Sequence, residues 1–126
     1  MSAKKPFSPR ARVGSFIFAL RGLAHVVKTE HNMRIHLAIC MAVIVAGGLL
    51  GIARTDWLWL IMCMVVVLCA EAFNTAIEIL CDVVSPQQND AVQKAKDTAA
   101  GAVLIAAFGS AIIGATLFWP YLFGAK

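Results

Sequence analysis

Glu71, Asn74, Glu78 and Asp82 recur at offsets of 0, 3, 7 and 11 within the stretch AEAFNTAIEILCD, a spacing that sets all four on one side of an α-helix. Carboxylates grouped with other oxygen donors are what Mg²⁺ takes, commonly together with substrate phosphates and water. The outer members of the stripe are therefore candidates to hold a metal-nucleotide. Glu71 follows an uncharged run over residues 57–70. It lies about 21 Å from Trp57 along a helix axis, inside a hydrocarbon layer of about 30 Å, whereas Glu78 lies about 31 Å along, near an interface. An ionisable group within a span costs on the order of 3 kcal/mol and is by default a functional position. Deep and desolvated, Glu71 suits a general base that takes a proton from a lipid hydroxyl presented at the membrane surface. Pairing with a neighbouring helix merely to fix packing is the plainer alternative, but four polar groups on one face exceed what packing needs.

Other candidates are weaker on their own. Glu30 is the sole acid among the first 55 residues, with Arg34 one turn later. The two could complete a metal and phosphate site or simply form an i,i+4 ion pair worth a few tenths of a kcal/mol. In Ala95-Lys96-Asp97, the lysine could meet phosphates or headgroups, while an aspartate opening a helix ordinarily just interacts with its free N–H groups and dipole. His25, His31 and His36 show no convincing ligand spacing and read as interfacial residues. No Walker A or GxGxxG sequence occurs, so a nucleotide site would be of another kind.

The elements that must carry these groups follow from composition and period. Of 126 residues, 60% are hydrophobic and 14% charged, with a mean hydropathy of +0.79, which leaves too few charges to coat a soluble domain of this size. A single membrane unit over residues 1–126 is expected. Residues 1–9 read as a mobile tail. Over residues 10–29, Val13, Phe16, Ile17, Leu20, Leu23, Ala24 and Val27 fall on one helical face flanked by Arg10, Arg21 and Lys28, the pattern of a helix lying in the membrane interface. Phe18 and Val26 fall outside that stripe and are expected to pack against protein.

The first span is expected at residues 35–52, uncharged over 18 residues and about 27 Å long. A turn at Arg54, Thr55 and Asp56 follows, with Trp57 and Trp59 as interfacial aromatics. The second helix is predicted over residues 57–84, ended by Ser85-Pro86. A polar loop over residues 85–96 precedes a third span at residues 98–122, whose Gly101, Ala102, Ala106, Gly109, Ser110 and Gly114 permit close helix approach. Three spans and a surface helix make a thin bundle, so association into an oligomer is expected.

Seven of the eleven Lys and Arg residues precede the first long apolar run. That places the N-terminus, and with it the 85–96 loop, on the cytoplasmic side of the membrane, and reads the +4 charge as a topology signal rather than a nucleic-acid surface. The first apolar run starts too late for a secretory signal, so no cleavage is expected. Cys40, Cys63, Cys69 and Cys81 sit in or beside apolar stretches and read as reduced packing residues.

Glu71-x-x-Asn74-Thr75-Ala76-Ile77-Glu78-x-x-x-Asp82, followed by Ala95-Lys96-Asp97-x-Ala99-Ala100-Gly101-Ala102-Val103-Leu104, closely resembles the prokaryotic diacylglycerol kinase and undecaprenol kinase family. The resemblance covers residues 10–120 and the joint motif is specific. It implies an all-α membrane protein with three transmembrane helices and an amphipathic surface helix, a homotrimer, and active sites at subunit interfaces near the cytoplasmic face. It implies Glu71 as general base, Glu30 and Glu78 as Mg²⁺ ligands, and Glu30, Asn74, Glu78, Lys96 and Asp97 as ATP contacts, which displaces the plainer readings of Glu30 and Asp97. Gln87, Gln88 and Asn89 could touch the nucleotide from the loop, and Arg12 and Arg34 the lipid headgroup. Phe18 stands near a position where some relatives have Tyr, and His36 where some place an acid.

The implied activity is transfer of the γ-phosphoryl group of MgATP to a lipid hydroxyl, of diacylglycerol or undecaprenol, with Ala99-Ala100-Gly101-Ala102 and Asn74-Thr75 leaning toward the undecaprenol kinase branch. A proton-coupled multidrug-type transporter would also use a membrane glutamate, but leaves unexplained why Asn74, Glu78, Asp82, Lys96 and Asp97 gather toward one interface. A non-catalytic scaffold would keep the spans without binding nucleotide.

Overall fold

The computed structural model describes residues 8–87 and 89–124. Among them the chain is all-α, with α1 (Pro9–Thr29), α2 (His31–Leu50), α3 (Arg54–Val84) and α4 (Asp90–Phe123). Ser8 caps α1, its Oγ accepting the Ala11 N–H at 3.4 Å, and Pro9 takes the first helical position, where a missing N–H costs nothing. Two residues of the expected tail thus start the helix, and residues 1–7 lie outside the described residues. Val13, Phe16, Ile17, Leu20 and Leu23 are exposed, so the apolar stripe of α1 is left for a membrane rather than spent on protein. Of the two off-stripe residues, Val26 is buried, as expected, but Phe18 is 68% exposed with the Arg21 guanidinium 5.9 Å from its ring centre.

Glu30 is a single extended residue between α1 and α2, so α2 starts four residues earlier than the apolar run at residue 35. α2 ends on Gly51 in the left-handed conformation, φ 62°, with the Ile52 N–H bonded to the Gly47 carbonyl at 3.2 Å. Only glycine adopts that cap without a Cβ penalty. The connection to α3 is therefore residues 51–53. Arg54, Thr55 and Asp56, expected as the turn, form the first turn of α3, where the Asp56 and Trp57 N–H groups bond to the Ala53 carbonyl.

α3 has 31 residues, about 46 Å at ~1.5 Å per residue, so it must project beyond a ~30 Å hydrocarbon layer. Ser85 ends it. The loop is shorter than expected, residues 85–89 rather than 85–96, because Asn89 Oδ1 accepts the Ala91 N–H at 2.8 Å and starts α4 at once. Helix capping thus belongs to Asn89, and Asp97 sits two turns inside the helix.

α3 is the central element, packed on α4 along much of its length and on α2 over a shorter stretch, while α1 touches α2 and α3. α2, α3 and α4 are each long and apolar enough to cross a membrane, yet only 33% of the apolar window of α3, 11% of that of α2 and 6% of that of α4 is buried. Two of the three spans therefore turn most of their apolar surface outward, as a lipid-embedded chain requires. Within the chain, Gly47 allows the close α2–α3 approach: a Cβ there would stand 2.9 Å from the Trp57 ring. By contrast, a Cβ on Gly101, Gly109 or Gly114 would meet nothing within 4 Å, so those small residues of α4 are not used for packing inside this chain. Ser110 does contribute, its Oγ donating to the Cys63 carbonyl at 3.4 Å.

Candidate active site

The most buried large side chains among the described residues are polar. Glu71 and Thr75 are each 2% exposed and Asn74 is 9% exposed, and all three lie on the face of α3 that an apolar run would normally fill. Thr75 satisfies itself by donating to the Glu71 carbonyl at 3.1 Å. Glu71 and Asn74 do not. Glu71 Oε1 and Asn74 Oδ1 are buried oxygens without a hydrogen bond aligned onto them, a state that costs roughly 1–3 kcal/mol per group unless a partner arrives. His36 Nε2 does approach Glu71 Oε1 to 3.2 Å, but the ring N–H is not aligned well enough to count as a hydrogen bond.

These groups line a small cavity of about 280 Å³ together with Asn32, His36 and the Ala100–Ala107 stretch of α4. Helix pitch explains the gathering. From the Gly47–Trp57 contact, eleven residues back along α2 reach His36 and fourteen forward along α3 reach Glu71, about 16 and 21 Å at ~1.5 Å per residue, hence a similar depth. At Leu104 and Ala107 the small cavity adjoins a much larger apolar groove of about 790 Å³, which runs between α2 and α4 over α3, from His36 to Leu50 on one wall and from Leu104 to Leu122 on the other.

Toward the polar end of α3, the half-buried Glu78 accepts from Asn74 Nδ2 at 2.9 Å through Oε1. Glu30, at the α1–α2 break, is half-buried and its Oε1 accepts from Thr29 Oγ1 at 3.0 Å. Glu78 follows Glu71 by two turns on the same helix. The local ion pair foreseen between Glu30 and Arg34 is replaced: the Arg34 guanidinium turns to His31 Nδ1 at 3.0 Å. Arg12 lies on the exposed first turn of α1.

The residues expected to meet ATP are distributed differently. Lys96 is ion-paired with Asp82 of α3, and Asp97 accepts from Gln93 Nε2 at 2.8 Å. Gln87 is exposed in the loop, its carbonyl accepting from Ser85 Oγ at 3.0 Å, Asn89 is engaged as the α4 cap, and Gln88 lies outside the described residues. Glu71, Asn74 and Glu78 are thus brought together by one helix face and Lys96 joins them through Asp82, whereas Arg34 turns to His31. His36, read from sequence as merely interfacial, is the residue that sequence reasoning missed.

Chemically, a buried carboxylate in a polar pocket that adjoins a long apolar groove can activate a hydroxyl whose hydrocarbon portion stays in the groove. Comparison with known proteins gives the family. Residues 17–118 match the family described as prokaryotic diacylglycerol kinase. The undecaprenol kinase of Bacillus subtilis is 35% identical over 108 residues, covering 86% of this chain and 88% of that protein. The diacylglycerol kinase of Synechocystis sp. is 36% identical over 127 residues, covering 95% of this chain and 73% of that protein. The chain therefore belongs to the prokaryotic diacylglycerol kinase family and is a membrane lipid kinase.

Proposed function

We propose that this kinase transfers the γ-phosphoryl group of ATP to the primary hydroxyl of a membrane lipid, undecaprenol in preference to diacylglycerol, with Glu71 as the general base. The observation that carries this reading is the position of Glu71, 2% exposed in a small polar pocket that adjoins the apolar groove through His36, Leu104 and Ala107. The lipid oxygen forms its bond to the γ-phosphorus as the bond to the ADP oxygen breaks, and the hydroxyl proton passes to Glu71. Asn74 Oδ1, a buried acceptor lacking a donor, is suited to receive a hydrogen bond from the bound reactants or water. The preference for a long isoprenoid alcohol draws support from the groove, which follows α2 from His36 to Leu50, about 21 Å and so past the midplane of a ~30 Å hydrocarbon layer.

Among the described residues no three acidic, His or Cys groups gather into a closed metal site. The half-buried carboxylates of Glu30 and Glu78 suit Mg²⁺ in type, since that ion takes one or two carboxylates and completes its shell with phosphate and water. Glu30 and Glu78 would hold the ion, with Asn74 fixing one Glu78 oxygen. Held by these carboxylates, the ion would supply neutralisation of charge on the transferring phosphoryl group. Lys96 and Asp97 are assigned to the nucleotide, and Arg12 and Arg34 to the lipid headgroup region. The small residues Gly101, Gly109 and Gly114, which meet no neighbour within this chain, support a homotrimer, and the basic N-terminal segment supports an active site on the cytoplasmic side of the inner membrane.

The test is phosphoryl transfer from labelled ATP to undecaprenol and, separately, diacylglycerol in mixed micelles with Mg²⁺, comparing wild type with Glu71→Gln and Glu78→Gln. Label on undecaprenol, lost in both variants, is the expected result. Label on diacylglycerol alone overturns the lipid assignment, and full activity of Glu71→Gln overturns the base.

A further inference from the structure

Three residues, His36, Leu104 and Ala107, line both the polar pocket and the apolar groove, and of these only His36 carries a polar side chain. Its Nε2 stands 3.2 Å from Glu71 Oε1, with the histidine side chain 19% exposed against 2% for the glutamate. The other charges that reach Glu71 include the acids Glu30 and Glu78, so an ionised Glu71 gains its local support from the imidazole. A carboxylate whose two oxygens are equivalent has no fixed aim. One whose Oε1 is held by a ring N–H presents its other oxygen in a single direction.

We infer that His36 is a positioning residue for phosphoryl transfer, its Nε2–H holding Oε1 of Glu71 so that the other carboxylate oxygen faces the lipid hydroxyl at the mouth of the groove. The inference rests on the reading of Glu71 as the base. It requires the proton on Nε2, and the 3.2 Å approach needs only a small rotation of the ring to become an aligned hydrogen bond in a water-poor pocket, where such a bond is strong. His36 takes no proton in this scheme. The proton from the lipid hydroxyl stays on Glu71 until product leaves, and the electron pair of the broken phosphorus–oxygen bond leaves with ADP. Because α2 carries His36 and α3 carries Glu71, the aim of the base depends on the α2–α3 contact rather than on the helix that bears it.

The experiment uses the full chain in mixed micelles with MgATP and undecaprenol, comparing wild type, His36→Leu, which keeps bulk but loses the donor, and His36→Gln, which keeps a donor. His36→Leu is expected to lose about 100-fold in kcat, the scale of a misdirected reacting group, with KM for ATP unchanged, and His36→Gln to recover most of that loss. Near-wild-type turnover of His36→Leu, or equal loss in both variants with intact folding, overturns the inference. Side-chain ¹⁵N resonances of His36 in wild type and Glu71→Gln provide a readout independent of activity. A shift on Glu71→Gln is expected, and an unmoved resonance overturns the pair even if the histidine variants fail to fold. Should wild type phosphorylate neither undecaprenol nor diacylglycerol, the base reading falls, while the resonance still decides whether His36 holds Glu71.

Discussion

Lys96 on α4 is ion-paired with Asp82 on α3, joining the two helices across the loop of residues 85–89. On the proposed assignment of Lys96 to the nucleotide phosphates, Asp82 would compete with them for its ammonium. Asp82→Asn is expected to lower KM for ATP by about two- to fivefold, the scale of an exposed pair, with kcat unchanged, whereas Lys96→Met raises KM. Steady-state kinetics over ATP concentration distinguishes the two.

As the proposed base, Glu71 would set activity against stability. An isolated buried carboxylate is costly, and Glu71→Gln keeps its shape without the charge. The variant is expected to lose about 10²- to 10⁴-fold in kcat while unfolding at the same temperature as wild type or a higher one. Thermal unfolding in detergent alongside the lipid assay checks both halves of the statement.

Glu78 is fixed by Asn74 at 2.9 Å, so removing either should disturb the same function. Glu78→Gln is expected to raise the Mg²⁺ concentration for half-maximal rate by about tenfold or more, the cost of losing a ligand or its orienting partner. Asn74→Ala is expected to do so more weakly. Titration of activity with Mg²⁺ at fixed ATP measures both.

Gly47 has no room for a side chain, since a Cβ would stand 2.9 Å from the Trp57 ring and 3.0 Å from the Ile52 side chain. Gly47→Val is expected to cost about 1–3 kcal/mol in stability. Because the contact also sets the relative depth of His36 and Glu71, kcat per folded molecule should fall as well. Unfolding in denaturant and kinetics on the folded fraction separate the two effects.

At the opposite end, Tyr121 donates to Asp56 Oδ2 at 2.5 Å and accepts from the Ala53 N–H at 3.0 Å, tying the end of α4 to the start of α3. Tyr121→Phe removes both bonds far from the site. A lower unfolding temperature with unchanged kcat is the expected outcome.

The polar stripe of α3 was legible in the sequence because a single helix carries it, and the 3.6-residue period alone places Glu71, Asn74, Glu78 and Asp82 together. The three spans were legible from their apolar runs. Helix starts were less so, since His31, Arg54 and Asp90 open helices with polar residues that an apolar pattern leaves to loops. Asn89 before Asp90 was the overlooked cap. His36 was hidden for a different reason: its meaning comes from contact with another helix, and α2 is apolar all round, so no period marks the side that faces α3. Counting back fifteen residues from the turn at residues 51–53 and forward eighteen would have brought it within about one helical turn of Glu71. The short turn, not the periodicity, held that information.

The apolar groove is walled by α2 and α4, which pack on α3 more than on each other, so its long side lies open to the surrounding bilayer rather than to water. On the proposed reading, a lipid alcohol would reach Glu71 by sliding sideways within its own plane and depart as a phosphate the same way, its hydrocarbon never crossing an aqueous phase. Encounter is then a two-dimensional event. Its frequency follows the mole fraction of acceptor in the membrane and the fluidity of the chains around it, so dilution with inert lipid slows turnover at constant bulk concentration.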